Sequence, residues 1–433
     1  MLTALIGFAV MLLGFFLGVP LGIVLFTVGF FGFALIHPAG LSAAMAMAGQ
    51  QVLGLTLDFQ FSVLPLFILA GSFVNHAALS DDLYEVAHRW LGHFRGGLAM
   101  ATIAACAGFA SICHSSIATA ATMARVAVPS MRRYRYADWL STGTVAAGGA
   151  LGMLVPPSGA LIVYGLLTEQ DIAKLFVAAI VPVLVSIAVY FAVIRSVTFF
   201  RAEAGPPAEN ASWRARWSGL YKVWGVLALF LLVMGGITFG VFTTTEAGGI
   251  GAAGALILAI LRRKMSWAIF YQSLVEAATT TAMVFSVILG ALVLNQFVNI
   301  SGLAETVLDF IRRLHATPTE VILIILAFYV LLGMFIEGFA LIFLTVPIFV
   351  PIVGNLGFDL IWWGIVLVIT VEMSVLHPPL GLNIFVLKSL LPDVPLKQIY
   401  WGVIPFWAGD FIRLAVILAF PAWVLYLPRL LLR

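Results

Sequence analysis

The sequence predicts an all-α integral membrane protein built from two related halves of opposite orientation. Three observations carry this. Of the 433 residues, 63% are hydrophobic and 9% charged, with a mean hydropathy of +1.12; soluble domains carry about 25% charged residues. The chain also repeats its helix-breaking residues in register. Pro129 is matched 222 residues later by Pro351, and the pair Pro156–Pro157 by Pro378–Pro379; Lys174 and Pro182 are matched by Lys397 and Pro405 at a spacing of 223. Proline inside a helix removes a hydrogen bond and clashes with the preceding turn. In lipid such a break persists only where it lines a cavity or is buried in protein. Matched breaks in two halves mark secondary transporters whose site lies where the repeats meet. Finally, each half holds about five spans on the length ruler of the bilayer, and an odd number inverts the second half.

The composition excludes much else. No basic face suits nucleic acid. Two cysteines, Cys106 and Cys113, lie in one apolar segment and do not make a disulfide framework. No phosphate-binding loop is present, no enzyme motif stands out, and no cofactor is expected. The apolar stretch from Leu2 lacks a basic leader and is read as a retained helix rather than a signal peptide.

Taken in order, residues 1–200 form the first repeat. Its scaffold helices cover 2–78: short spans near 2–18 and 20–36 parted by Gly18–Val19–Pro20, an amphipathic stretch near 41–54 and a span near 60–78. A polar amphipathic segment, 80–95, leads into the apolar run 96–128, interrupted at its centre by SICHSS. That run is expected to be a re-entrant hairpin. A helix broken at the proline pair covers 137–167 and a further span 175–198. The polar, charged segment 201–218 is the linker. In the second repeat, 219–433, scaffold helices cover 219–298 and a polar segment lies near 301–320. The second hairpin is 321–350, the second broken helix 362–387 and the last span 401–427.

Charge placement sets an orientation. With the linker in the cytoplasm, Arg89, Arg95, Arg132, Arg133 and Arg135, the Lys and Arg residues of 195–222 and 262–264, and Lys388 and Lys397 fall inside. Few, among them Lys174, Arg312, Arg313, Arg429 and Arg433, fall opposite, and the loop 37–58 has none. Both termini are then periplasmic, the first hairpin enters from the cytoplasm and the second from the periplasm.

The chemistry is expected at the hairpin tips and breaks. The first tip offers Ser111, Ser115 and Ser116, with Thr119 a turn on; its facing break offers Gly152, Pro156, Pro157 and Ser158. The second tip offers Gly333, Glu337 and Gly338; its break offers His377, Pro378, Pro379, Gly381 and Asn383. Unwound carbonyls suit a bare alkali cation, and half-helix N-termini favour an anionic group. The competing reading is that these hydroxyls only satisfy neighbouring backbone in packed helices. Ionisable groups at membrane depth are costly, so His114, Glu337, Glu372 and His377 are further candidates. Against this, a histidine in a packed interior is often a hydrogen-bonded core residue, and Glu372 and Asp410 can simply pair with polar neighbours.

Several segments resemble one family. PLFILAGSFVNHAALSDDLYEVAHRWLGHFRGGLA, SSIATAATMARVAVPSM, the GALGMLVPPS break, GVFTTTEAGGIGA, LTVPIFVPIV and PPLGLNIFVLKSLLPDVPL are similar to the large membrane subunit of tripartite ATP-independent periplasmic (TRAP) transporters. The resemblance runs through nearly the whole chain. It implies an elevator-type, sodium-coupled symporter of the bacterial inner membrane that imports an organic anion such as a C4-dicarboxylate. It also implies a small four-helix membrane subunit, here expected as a separate chain, and a periplasmic substrate-binding protein. Carried onto this chain, it implies a first sodium site at Ser111, Ser115, Ser116 and Gly152. A second is implied at Gly333, Gly338 and the backbone of Leu376–His377. Substrate contacts are expected from Ser116, Thr119, Ser158, Glu337, His377 and Asn383. The chain departs from the family pattern at His114, where members often carry Gly, near Glu337, where they carry Asp or another small polar residue, and at His377, where they carry Thr. Two alternatives stay open: a proton-coupled carrier of the same architecture, motivated by His114, Glu337 and His377, and a non-transporting membrane scaffold.

Overall fold

A computed structural model describes residues 2–76, 79–303, 306, 316–377 and 381–432. Among these the chain is helical throughout, with no strand. The first half holds α1 (Leu2–Phe16), α2 (Leu21–Ile36), α3 (Gly40–Leu57), α4 (Val63–His76) and the amphipathic α5 (Leu79–Leu91). Then come α6 (Gly97–Cys113), α7 (Ser116–Arg133), α8 (Asp138–Ala150), α9 (Gly159–Thr168) and α10 (Ile172–Phe200). The second half holds α11 (Trp213–Thr238), α12 (Thr244–Leu261), α13 (Trp267–Ile300), α14 (Pro318–Gly333) and α15 (Gly338–Asn355). It ends with α16 (Leu360–Ser374), α17 (Leu382–Leu390), α18 (Leu396–Ala419) and α19 (Pro421–Leu431). Seven helical segments among the described residues are long and apolar enough to cross a membrane.

Local chemistry explains the boundaries. Gly18, at φ +75°, and Pro20 part α1 from α2. Thr243 and Glu246 form a capping box at the start of α12, as Thr317 and Glu320 do at α14 with Pro318 just inside. On α5, Asp81 and Asp82 occupy the first turn and His88 and Arg89 the last, complementing the helix dipole.

The 222-residue register reappears as geometry. Ser115 and Glu337 are the N-caps of α7 and α15, and Ala137 and Asp359 those of α8 and α16. Packing between the halves is reciprocal: α2 lies along α13, and α4 along α12. Together with α1, α3 and α11 these helices form one layer. The second layer gathers α6–α10 and α14–α19. Its closest crossing is α8 on α18, where a Cβ on Gly402 would fall 1.8 Å from the Trp139 carbonyl oxygen and one on Gly143 2.0 Å from the Gly402 oxygen.

Both expected hairpins are helix–turn–helix units, α6–α7 and α14–α15, and neither is a continuous span. Their second helices run on past the expected ends at 128 and 350, to Arg133 and Asn355, and two further boundaries differ from expectation. Ser212 accepts from the Ala215 N–H and starts α11 at Trp213, so the linker ends at 212, not 218. The last span is not continuous: Phe420 leaves the helical region and Pro421 starts α19. Pro378 and Pro379 lie outside the described residues, as do Arg312, Arg313 and Arg433.

Basic residues gather at one end. Arg89 and Lys222 both pair with Glu85, and Arg262 with Asp82, which ties α5 to α11 and α12. Arg132 pairs with Asp138 at 2.7 Å and Asp393 at 2.6 Å. The linker closes on the same end, through Gly96 N–H to the Gly205 carbonyl at 2.8 Å and Ala137 N–H to the Ala204 carbonyl at 3.1 Å.

Candidate functional site

The first tip forms because His114 reverses the chain at φ 57° and Ser115 then caps α7, accepting from the Ala118 N–H at 3.3 Å. The hydroxyls of Ser111 and Thr119 donate to carbonyls of their own segment, Gly108 at 2.8 Å and Ser115 at 2.7 Å. The facing break runs from a 3-10 turn at Leu151–Met153 to Ser158, the N-cap of α9. Ser158 accepts from the Leu161 N–H at 3.3 Å and donates to the Met153 carbonyl. Gly152 permits backbone-to-backbone approach: a Cβ there would fall 2.8 Å from the Ser115 carbonyl and the Ser116 nitrogen. Ser115, Ser116 and Gly152 thus meet, with Ser111 one turn back on α6.

At the second tip Glu337 caps α15, accepting from the Ala340 N–H at 3.1 Å. Gly333 backs directly onto Ser374 at the end of α16, where a Cβ would fall 2.2 Å from the Ser374 Cβ. Leu376 is fully buried, and the Leu376 and His377 N–H groups donate to the Met373 and Ser374 carbonyls at 3.2 and 3.1 Å. The His377 ring stands edge-on to Trp407 at 4.5 Å. Gly381 lies against the Val375 and His377 carbonyls.

Each tip also touches the other half's break. Buried Asn383, in the first turn of α17, donates to Ser116 Oγ at 3.0 Å and to the Ala146 carbonyl at 3.1 Å. Gly338 sits against Met153 and Val371, and the Phe339 ring covers Gly159. The N-termini of α7, α9, α15 and α17 therefore gather around one locus. Gly338 meets the first break while Gly333 meets the second, so the second set of expected ion ligands is spread over two contacts.

Between this locus and the outer layer lies a cavity of about 280 Å³ lined by Ser72 and Asn75 of α4, Glu276 and Thr280 of α13, and His114 and Ser115. Ser72 Oγ donates to Glu276 Oε2 at 3.1 Å, and Cys113 Sγ lies 3.5 Å from Asn75 Oδ1. Sequence reasoning missed these four wall residues; the available signal was polar side chains inside the apolar spans 60–78 and 272–298. A second cavity of about 270 Å³ is lined by Gly333, Glu337, Ser374 and Val375. Glu372 and Asp410 do pair with polar neighbours, through Arg413, which sequence reasoning did not single out.

Residues 6–423 match the family described as tripartite ATP-independent periplasmic transporter, DctM component. The chain is 30% identical over 417 residues to the sialic acid TRAP transporter large permease protein SiaM of Vibrio cholerae, covering 96% of each. It is 32% identical over 368 residues to the C4-dicarboxylate TRAP transporter large permease protein DctM of Pseudomonas aeruginosa, covering 84% of this chain and 85% of that one. In fold it is similar to the YdaH transporter of Alcanivorax borkumensis, with a TM-score of 0.64 at 14% identity over 91% of each chain.

Proposed function

The chain belongs to the DctM component family of tripartite ATP-independent periplasmic transporters, and on that premise we propose that it imports an organic anion by sodium symport. It is a large permease, a multi-pass membrane transporter rather than an enzyme. The observation that carries the finer reading is the crossed seating of the tips. Four helix N-termini, at Ser115, Ser158, Glu337 and Gly381, gather where the two broken helices unwind. N-terminal dipoles and free N–H groups favour a carboxylate, and unwound carbonyls favour an alkali cation.

In this reading sodium is bound at Ser111, Ser115, Ser116 and Gly152, and again at Gly333, Gly338, Leu376 and His377. The contact of Gly152 with Ser115 and Ser116 supports the first set. Substrate is bound by Ser116, Thr119, Ser158, Glu337, His377 and Asn383, supported by the Ser116–Asn383 bond. Sialic acid and C4-dicarboxylates, the cargoes named for two relatives, share a carboxylate, so the substrate class is an organic acid. Residues 1–200 and 219–433 act as inverted repeats, a reading supported by the reciprocal packing of α2 on α13 and α4 on α12. The layer holding both tips moves as an elevator against the outer layer along the seam marked by the first cavity. The exposed apolar faces of α1, α2, α11 and α12, with Leu13, Phe31, Trp217 and Leu231 among them, receive the small four-helix subunit. A periplasmic binding protein delivers substrate. The chain sits in the bacterial inner membrane with its basic end in the cytoplasm and both termini in the periplasm.

The test is uptake of a panel of carboxylates by the reconstituted complex under imposed gradients. Uptake should depend steeply on sodium, and Ser115→Ala or Ser116→Ala should weaken sodium affinity roughly five- to a hundredfold, the worth of one lost ligand. Uptake that ignores sodium and collapses with the proton gradient would overturn the sodium reading.

A further inference from the structure

Behind the second tip lies a cluster of fully buried charge that the transport reading does not use. Glu372 sits on α16 two residues before Ser374, against which Gly333 of the tip packs. Asp410 and Arg413 approach it from α18, Ser186 and Tyr190 from α10. Arg413 Nη1 donates to Glu372 Oε2 at 3.0 Å and to Ser186 Oγ at 2.9 Å. Its Nη2 lies 3.2 Å from Asp410 Oδ1, which also accepts from the Tyr190 hydroxyl at 2.8 Å. All five side chains belong to residues with 0% exposure.

The charges do not balance. Two ionised carboxylates around one guanidinium leave a net negative charge away from water, which is strongly unfavourable. Among the described residues, Glu372 Oε1, Asp410 Oδ2 and Arg413 Nε and Nη2 are all buried without a hydrogen-bond partner. The other titratable groups facing these helices lie apart from the cluster. Tyr164 of α9 and Tyr329 of α14 meet the opposite end of α16, at the Leu360 carbonyl and the Trp363 ring. His377 stands edge-on to Trp407, three residues before Asp410 on α18. A metal cation does not answer the imbalance, because the guanidinium already stands between the carboxylates and repels it. No group of three or more metal-binding side chains occurs among the described residues.

We propose that this cluster is a proton-binding site in which Glu372 carries one proton and leaves Asp410 and Arg413 as a neutral ion pair. The proton comes from a hydronium ion, whose O–H bond breaks to leave water, and forms an O–H bond at Glu372 Oε1. Glu372 rather than Asp410 holds it because Asp410 Oδ1 has two favourable neighbours, the Tyr190 hydroxyl that donates to it and the charge of Arg413 Nη2 at 3.2 Å without hydrogen-bond geometry, whereas Glu372 Oε2 has only Arg413 Nη1. Glu372 and Ser374 share one turn of α16, so the proton is tied to the seating of the second tip.

Infrared spectroscopy of the purified full-length chain tests this without requiring transport. The protein at neutral pH should show the carbonyl stretch of a protonated carboxyl group that titrates away as a single group at high pH. Glu372→Gln should remove that band. Asp410→Asn should remove it too, because Glu372 then ionises against Arg413 alone; a carboxyl neutral for merely structural reasons would keep it. Glu337→Gln should leave the band in place. A band that survives either cluster variant, or that vanishes in Glu337→Gln, overturns the proposal. Should the cluster variants not fold, the unmodified protein decides alone: absence of the band at neutral pH overturns the site, and its single-group titration supports it.

Discussion

At Gly152 a single hydrogen atom stands where the first break meets the first tip. An alanine Cβ would fall 2.8 Å from backbone atoms of Ser115 and Ser116, which cannot swing aside as a side chain can. Gly152→Ala should therefore push the tip off the break, cost about 1–3 kcal/mol by overpacking, and, under the proposed sodium symport, weaken the sodium dependence of uptake more than it lowers expression. Asn383 presents the opposite case, a buried side chain that two groups need. Asn383→Ala leaves Ser116 Oγ and the Ala146 carbonyl without their donor. The expected loss is about 1–3 kcal/mol, read as a lowered unfolding midpoint in detergent. An unchanged midpoint would mean that the tip does not rest on the second break.

On the scale of one element, α5 behaves as an arm strapped along the outer layer. Glu85 takes both Lys222 of α11 and Arg89 of its own helix, and Asp82 takes Arg262 beside α12. The Lys222 hydrogen bond, with smaller help from Arg89, holds the Glu85 carboxyl below its ordinary value of 4.5 against the opposing effect of partial burial. A carboxyl lowered in the folded state contributes stability that is full above its ordinary value and is lost as pH falls through the lowered one. Amide exchange in residues 79–91 should accordingly speed up only in acid, and Glu85→Gln should bring that faster exchange to neutral pH. Equal protection in the two proteins at neutral pH would remove the strap from the account.

For the whole molecule the issue is whether the layer carrying the tips moves against the outer layer. Cys113 of α6 lies 3.5 Å from the side-chain oxygen of Asn75 on α4, directly across the seam. Asn75→Cys places a second thiol beside the native one, close enough for a disulfide. Oxidation should then stop uptake by linking the layers, a reductant should restore it, and adding Cys113→Ser should abolish the effect. Full uptake by a quantitatively cross-linked protein would exclude the elevator. The other cysteine, Cys106, is buried beside Gly148 within the layer that carries the tips and should not interfere.

Much of this architecture was legible along the chain, because its signals are local. Hydropathy over a span, a proline that cannot continue a helix, a serine that caps one and a repeat of 222 residues all act within a few turns or by simple counting. They pointed to the turn between α6 and α7, the turn between α14 and α15 and the interruption at Leu151–Ser158. The linker end at Ser212 and the break at Phe420 were lost because a cap and a kink inside polar or aromatic stretches leave the hydropathy almost unchanged. What the tertiary structure alone decided is which distant groups meet. Ser116 and Asn383 are 267 residues apart, Glu372 and Arg413 are 41 apart, and Asn75 faces Cys113 across two layers. These partners are chosen by how glycine-lined helix faces close on one another, a property of the packed whole that no periodicity along one segment encodes.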